Sequence, residues 1–209
     1  MRLSILICSI SERLEKLFFL VQEVERQAMG KDVEVIWLGD NMRWSVGVKR
    51  NHLLNMASGD YVCSLDDDDW VATDYVDSIL SALETNPDAV TFITSYHNND
   101  LDETNKIYYE KRNNNVNDPD GTRHRCINHI TPVKRSHALA VKGFPDATFG
   151  EDSNYALKLW NGVDGKRLLN SVVNIDKELY FYMFDPKLSR TDHLNPRHRP
   201  GVINLGYIK

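Results

Sequence analysis

The sequence has little cysteine and no pattern that would put it to use. Cys8, Cys63 and Cys126 are its three cysteines. They are widely spaced, form no C-x-x-C pair and are odd in number, which excludes a disulfide scaffold and points to a reducing compartment. Cys8 and Cys63 sit in apolar runs and read as buried thiols. Long apolar runs are also missing. No stretch approaches the roughly 20 residues that span a bilayer. Leu3–Ile7 is too short for the apolar part of a signal peptide and leads into Glu12 and Arg13. The expectation is a soluble, cytoplasmic protein with no membrane span. Positive charge is not in excess: 25 Lys and Arg stand against 30 Asp and Glu. That balance gives no general pull toward nucleic acid or anionic lipid. The P-loop and the Gly-x-Gly-x-x-Gly fingerprint are absent too, which argues against kinases, ATPases and dinucleotide-binding dehydrogenases.

What is present is an ordered alternation. Residues 3–8 read as a buried strand, and Ser9 with Glu12 has capping-box spacing. Leu14, Leu17, Phe18, Val21 and Val24 then recur at helical spacing. Val33–Leu38 reads as a second buried strand, stopped by Gly39-Asp40-Asn41, and a helix begins near Ser45. Tyr61–Leu65 is a third strand, a helix with Tyr75, Ile79, Leu80 and Leu83 follows, and Ala89–Thr94 is a fourth strand. Buried strands alternating with amphipathic helices predict an α/β fold with a mostly parallel sheet covered by helices. Ligands bind such sheets beyond the C-terminal strand ends. The polar clusters at 9–12, 39–41 and 66–70 all fall there.

The second half reads differently. Residues 97–122 are rich in Asn and Asp and suggest a long loop or an irregular hairpin. Pro132–Val141 and Glu151–Trp160 look helical, and Ser171–Ile175 and Leu179–Phe184 look like two strands. One domain over 1–209 is expected, residues 1–95 forming a nucleotide-binding half and 96–209 an acceptor-side half with a polar tail.

The chemistry concentrates in Asp66-Asp67-Asp68-Asp69 at the end of the third strand. If strand geometry persists, Asp66 and Asp68 point one way and Asp67 and Asp69 the other. Two carboxylates about 4 Å apart repel by roughly 4 kcal/mol at an effective dielectric near 20. A cation relieves that crowding, and an oxygen-only ligand set favours Mg²⁺ or Mn²⁺. Such an ion could neutralise a diphosphate leaving group. The plainer alternative is a solvated acidic turn. An EF-hand loop does not fit, because Trp70 and Val71 follow where a ligand and a glycine are required.

Taken in order, Ser4–Ile7, Glu34–Asp40, Lys49-Arg50-Asn51, Ala57–Asp69, Gly143-Phe144-Pro145 and Gly150-Glu151-Asp152 resemble the family-2 glycosyltransferases of the GT-A fold over roughly residues 1–160. The resemblance implies a Rossmann-like sheet and an inverting transfer from a nucleotide-diphospho-sugar, foremost a UDP-sugar. It implies Asp40 and Arg50 near the nucleotide, Asp66 and Asp67 on the donor side, and Asp66 and Asp68 toward a metal. Asp152, with Glu151 beside it, would be the catalytic base. The bland readings are turn chemistry for Asp40, a solvated helix face for Arg50, and acids at a helix N-terminus for the last pair.

The histidines are less informative. His124, Cys126 and His129 make a compact group without an obvious fourth ligand, so a polar loop is the expectation. Some GT-A enzymes supply a late histidine to the metal; His193 is the candidate and His198 its competitor. The sequence departs from the family where Gly39-Asp40 replaces Asp-Asp, in its short length, and in the Asn-rich segment. The acceptor therefore stays open among a glycan, a lipid-linked sugar, a protein and a hydroxylated DNA base. Nucleotidyl transfer, or a non-catalytic binding module on the same fold, are the competing readings.

Overall fold

The computed structural model describes residues 3–98 and 103–184. Leu3–Ile10 forms β1, followed by a 3-10 turn at Ser11–Arg13 and helix α1 at Leu14–Ala28. Then come β2 (Val33–Asp40), α2 (Val46–Met56), β3 (Tyr61–Asp66), β4 (Trp70–Val71), α3 (Tyr75–Leu83) and β5 (Ala89–Asn98). The second half adds β6 (Glu103–Glu110), β7 (Val116–Asn117), β8 (Arg123–Cys126), β9 (Val133–Lys134), α4 (Arg135–Ala140), α5 (Glu151–Asn161) and β10 (Val172–Phe184).

The described strands make one sheet in the order β2-β1-β3-β9-β5-β6-β8-β7, with β10 beside β5 and β4. β1 runs parallel to both β2 and β3, and all eight of its residues are buried. β10 runs parallel to β5, and β6 to β8. The two-residue β9 lies antiparallel between β3 and β5 and joins the halves. Core side chains fill both faces. Leu17, Leu20 and Val24 of α1 pack with Ile79 and Leu83 of α3 on one side. Leu53 and Leu54 of α2 pack with Val141, Phe144 and Tyr155 on the other.

Several expectations change. β2 is an edge strand and only half-buried, with Trp37 47% exposed, because among the described strands only β1 pairs with it. The buried face of α1 passes through Leu17, Leu20, Val21 and Val24; Leu14 and Phe18 lie on the solvent side. In the Asn-rich region the hairpin reading is the one that holds, since β5 and β6 pair antiparallel and β8 returns along β6. The helix expected over 132–141 is only Arg135–Ala140, because Val133 and Lys134 are drawn into the sheet. The two late strands are one, β10, carrying register shifts between Ile175 and Tyr180.

Candidate active site

β1, β2 and β3 end at one edge of the sheet, and the polar groups gather there. Strand geometry does not continue through the acidic run. β3 stops at Asp66 and the chain turns, with the Asp69 N–H donating to the Asp66 carbonyl at 3.2 Å. The four carboxylates therefore fan out to different partners instead of alternating. Asp66 accepts from Arg50 Nη2 at 2.8 Å, and its other oxygen lies 3.2 Å from His129 Nε2. Asp67 accepts from the Ser9 hydroxyl at 2.7 Å and from Arg13 Nη1 at 2.8 Å. Asp68 pairs with the same Arg13 nitrogen at 3.0 Å. Asp69 turns inward and accepts from the Tyr180 hydroxyl at 2.5 Å and the Met183 N–H at 2.8 Å. Ser9 is thus not a helix cap; its hydroxyl belongs to the site.

α2 explains the cationic side. Ser45 caps it, accepting from the Val48 N–H at 3.2 Å. Leu53 and Leu54 face the core, yet Lys49 and Arg50 are equally buried because that face meets the carboxylates. Arg50 bridges Asp66 and Glu151, reaching Glu151 Oε1 at 2.6 Å. Burial alone would lower its pKa, but Asp66 and Glu151 outweigh that and hold it above the ordinary value. Asp66 mirrors this: burial raises its pKa, while His129 and Arg50 bring it below the usual carboxylate range. Lys49 donates to Asp40 Oδ1 and to the Ser9 carbonyl, both at 2.8 Å. Burial raises the Asp40 pKa, but the bonds from Lys49 and the Trp44 N–H win and leave it low. Asp40 stands behind Lys49, and Lys49 lines the cavity.

The second half is brought in by a side-chain clamp. Asn51 donates to the Phe144 carbonyl and accepts from the Phe144 N–H, each at 2.8 Å. The Arg50-Asn51 pair and the Gly143-Phe144-Pro145 signature are therefore two sides of one contact. From that loop Gly150, in the left-handed region at φ 75°, turns the chain into α5. Glu151 points inward to Arg50, and Asp152 points outward, accepting from the Ser153 N–H at 2.7 Å.

Two adjoining cavities result. One, of about 620 Å³, is walled by Ser9, Arg13, Lys49, Arg50, the acidic run and the 148–154 segment. The other, of about 590 Å³, lies between β6, β8, the end of β10 and the first turn of α5. Asp152, Ser153, Tyr109 and Tyr182 line both. In the first cavity six carboxylates, Asp66 to Asp69, Glu151 and Asp152, face three cations, Arg13, Lys49 and Arg50. The unmatched charge shows at Asp68. Burial raises its pKa most, Arg13 opposes, and Asp67 and Asp66 add, leaving it at about 6. A crowded set of oxygen donors with surplus negative charge fits a hard divalent cation. Asp68, with Asp66 beside it, would hold one. Among the described residues no group of three or more His, Cys, Asp or Glu side chains is placed to hold a metal ion, so these side chains would supply two ligands at most.

Arg13, Lys49 and His129 carry no site role in the sequence pattern, although Lys49 stands in the Lys49-Arg50-Asn51 run and His129 in the compact group with His124 and Cys126. Arg13 and Lys49 lie in helical patterns where charge normally marks a solvated face. The expected polar loop holds a buried His129, packed against Asp66 with Nδ1 lacking a partner. His124 goes elsewhere, to Glu110 and Asp118, and Cys126 lines the second cavity. The available signal was His129's place just before the apolar Ile130. His193 and His198 lie outside the described residues.

A helix-covered, mostly parallel sheet with an acidic turn beyond its third strand defines the GT-A class of α/β fold. A sequence model of glycosyl transferase family 2 matches residues 20–159, and the chain belongs to that family. Among solved structures, S. aureus TarS 1–349 in complex with UDP-GlcNAc is 15% identical, with a TM-score of 0.55 over 88% of this chain and 59% of that one. The same fragment with UDP aligns over 93% of this chain and 64% of that one, at 15% identity and a TM-score of 0.54. Full S. aureus TarS aligns over 93% of this chain but 39% of its own length, at 15% identity and a TM-score of 0.55. The chain thus spans less than two thirds of these structures, and the likeness is one of fold. A search of curated proteins found no match. No described helix is long and apolar enough to cross a membrane.

Proposed function

We propose that this protein is a metal-dependent, inverting glycosyltransferase that moves a sugar from a nucleotide diphosphate, foremost UDP, to an acceptor hydroxyl. The observation that carries the reading is Asp152, which borders both cavities at the first turn of α5. A general base must stand between the bound donor and the incoming hydroxyl, and Asp152 is a carboxylate at that junction. Family membership and the UDP-GlcNAc bound to TarS support a UDP-sugar in the acidic cavity.

Each residue has a defined task. With Arg50 committed to Asp66 and Glu151, Arg13 and Lys49 are the further cations lining the donor cavity, and they attract a diphosphate. Asp40, held by Lys49 and the Trp44 N–H, is an ionised acceptor for the nucleoside. Arg50 locks Asp66 to Glu151, so Glu151 positions the turn that presents Asp152. Asp67 holds Ser9 and Arg13 in place. A Mg²⁺ or Mn²⁺ ion at Asp68 and Asp66 would neutralise the departing diphosphate. Asp152 takes the acceptor's proton as the hydroxyl attacks the anomeric carbon, on the face opposite the leaving group.

The test uses nucleotide-sugars with Mn²⁺, reading released nucleoside diphosphate and donor-induced thermal shifts. Asp152→Asn is expected to lose about 10²–10⁴-fold in turnover while keeping the donor-induced shift. Full activity in that variant would remove Asp152 as the base. A protein that binds no donor at all would sink the transferase reading.

A further inference from the structure

The second cavity has a chemistry of its own. Arg123 and Arg125 lie two residues apart on β8, so they share a face of the sheet. Their register partners on β6 are Ile107 and Tyr109, and all four line the cavity. His124, between them, faces the other way and stacks on Tyr108. The two guanidiniums are thus aimed at one space.

Neither arginine has a carboxylate partner among the described residues. Arg125 spends Nη1 on the carbonyls of Val116 and His124, both at 3.1 Å. The Arg123 guanidinium lies over the Tyr96 ring, 4.1 Å from its centroid. That contact holds the guanidinium against the ring without using its N–H donors, which stay available to a ligand. Burial lowers the Arg125 pKa most, Tyr109 opposes, and the neighbouring charges of Arg123 and Arg112 add to the lowering. One side of the wall is aromatic, where Tyr96 stacks on Tyr182 at 5.4 Å and on Phe184 at 6.0 Å, and the amides of Asn113 to Asn115 and Asn128 line the cavity as well. Flat rings are surfaces for the C–H face of a sugar ring. Asp152 closes the same cavity.

We propose that this cavity takes an anionic acceptor, a sugar carrying a phosphate or carboxylate group, with the oxyanion held by Arg123 and Arg125 and a hydroxyl presented to Asp152. Calling the ligand an acceptor rests on the transferase reading above; the oxyanion site itself does not. Paired guanidiniums suit such a group because each offers parallel N–H donors to two oxygens. The aromatic wall then supplies what a free anion cannot use.

Calorimetry on the full chain, with UDP and Mn²⁺ added first to fill the donor cavity, tests this. The probes are glucose 6-phosphate, glucuronate, inorganic phosphate and glucose. Glucose 6-phosphate is expected to bind at least about tenfold more tightly than glucose, the size of one charge-assisted contact. Arg123→Gln and Arg125→Gln are each expected to remove about that factor, and Arg125→Lys to retain part of it. Glucuronate against glucose 6-phosphate tells carboxylate from phosphate. Glucose binding as well as its phosphate, or glucose 6-phosphate binding unmoved in both Gln variants, would overturn the proposal. Inorganic phosphate matching glucose 6-phosphate would overturn the acceptor assignment, since the aromatic wall would then contribute nothing. If a Gln variant fails to fold, the wild-type ratio still decides. UDP binding without any preference for the phosphate sinks this inference alone. Oxyanion binding without UDP binding sinks the transferase reading alone.

Discussion

Arg50 shows what one residue can decide in this site. It is buried and carries ion pairs to Asp66 at 2.8 Å and to Glu151 at 2.6 Å. Without it, two carboxylates would face each other in a poorly solvated space, which is costly unless protons or cations intervene. With it, Asp66 stays ionised and the surplus of charge moves outward to Asp68, where solvent and ligand arrive. That sets an expectation for metal. Chelation with EDTA should abolish the donor-induced thermal shift, and Mn²⁺ should restore it. Asp68→Asn should raise the Mn²⁺ concentration needed for that shift at least about tenfold, since losing even an indirect partner of a metal ligand costs 10–100-fold in affinity. A donor shift indifferent to EDTA would remove the metal from the reading. Residues of this kind were unevenly legible in the sequence. Asp66 to Asp69 and Glu151-Asp152 announce themselves as runs of like charge after apolar segments. Arg13 and His129 do not, because each reaches the site only through the fold: Arg13 lies 54 residues from Asp67, and His129 63 from Asp66.

Elements with a strong period were legible for the same physical reason that they form. β1, β3 and α3 bury continuous or helically spaced apolar residues, so pattern and structure coincide. β9 could not be read that way. Two residues carry no period, and Val133 and Lys134 are strand only because β3 and β5 leave a gap for them. α2 misleads in the opposite sense, since its buried face includes Lys49 and Arg50 and its apolar stripe is short. Its packing also reverses an ordinary expectation at Gly47. Replacing a helical glycine by alanine normally stabilises by up to about 1 kcal/mol. Here a Cβ would collide with the carbonyl oxygen of Pro145, which is backbone and cannot swing away. The same glycine donates its N–H to Ala147 at 2.9 Å. Gly47→Ala should therefore lower stability by about 1–3 kcal/mol, the usual range for overpacking. Because the 143–150 loop leads into Asp152, turnover should fall more than donor affinity. A chemical-denaturation curve with steady-state kinetics reads both, and a more stable Gly47→Ala protein would refute the close contact.

At the scale of the whole molecule, the two halves are joined at Asp88, just before β5. One of its oxygens accepts from Lys134 at 2.9 Å and His137 at 3.1 Å, which reach it from β9 and α4. The other accepts from the N–H groups of Asn170 and Ser171 at 2.9 Å, at the approach to β10. A carboxylate 12% exposed, and satisfied from three elements, is held in its charged form. Burial alone would raise its pKa; the Ser171 N–H, Lys134, His137 and the Asn170 N–H outweigh that and leave it below the usual carboxylate range. The unfolded chain binds this proton near pH 4 and the folded chain only at lower pH. Asp88 therefore contributes its full stabilisation above about pH 4, and that contribution is lost as the pH falls through the folded value. At neutral pH, Asp88→Asn should cost about 2–3 kcal/mol, the size expected for a depressed carboxylate that loses its charge. The difference from wild type should shrink below about pH 4, as the wild-type carboxylate protonates and becomes the neutral equal of the amide. Denaturant midpoints measured from pH 7 to pH 2.5 give both curves. A constant gap across that range would mean that Asp88 acts by shape and hydrogen bonding alone, and that its charge does not hold the halves together.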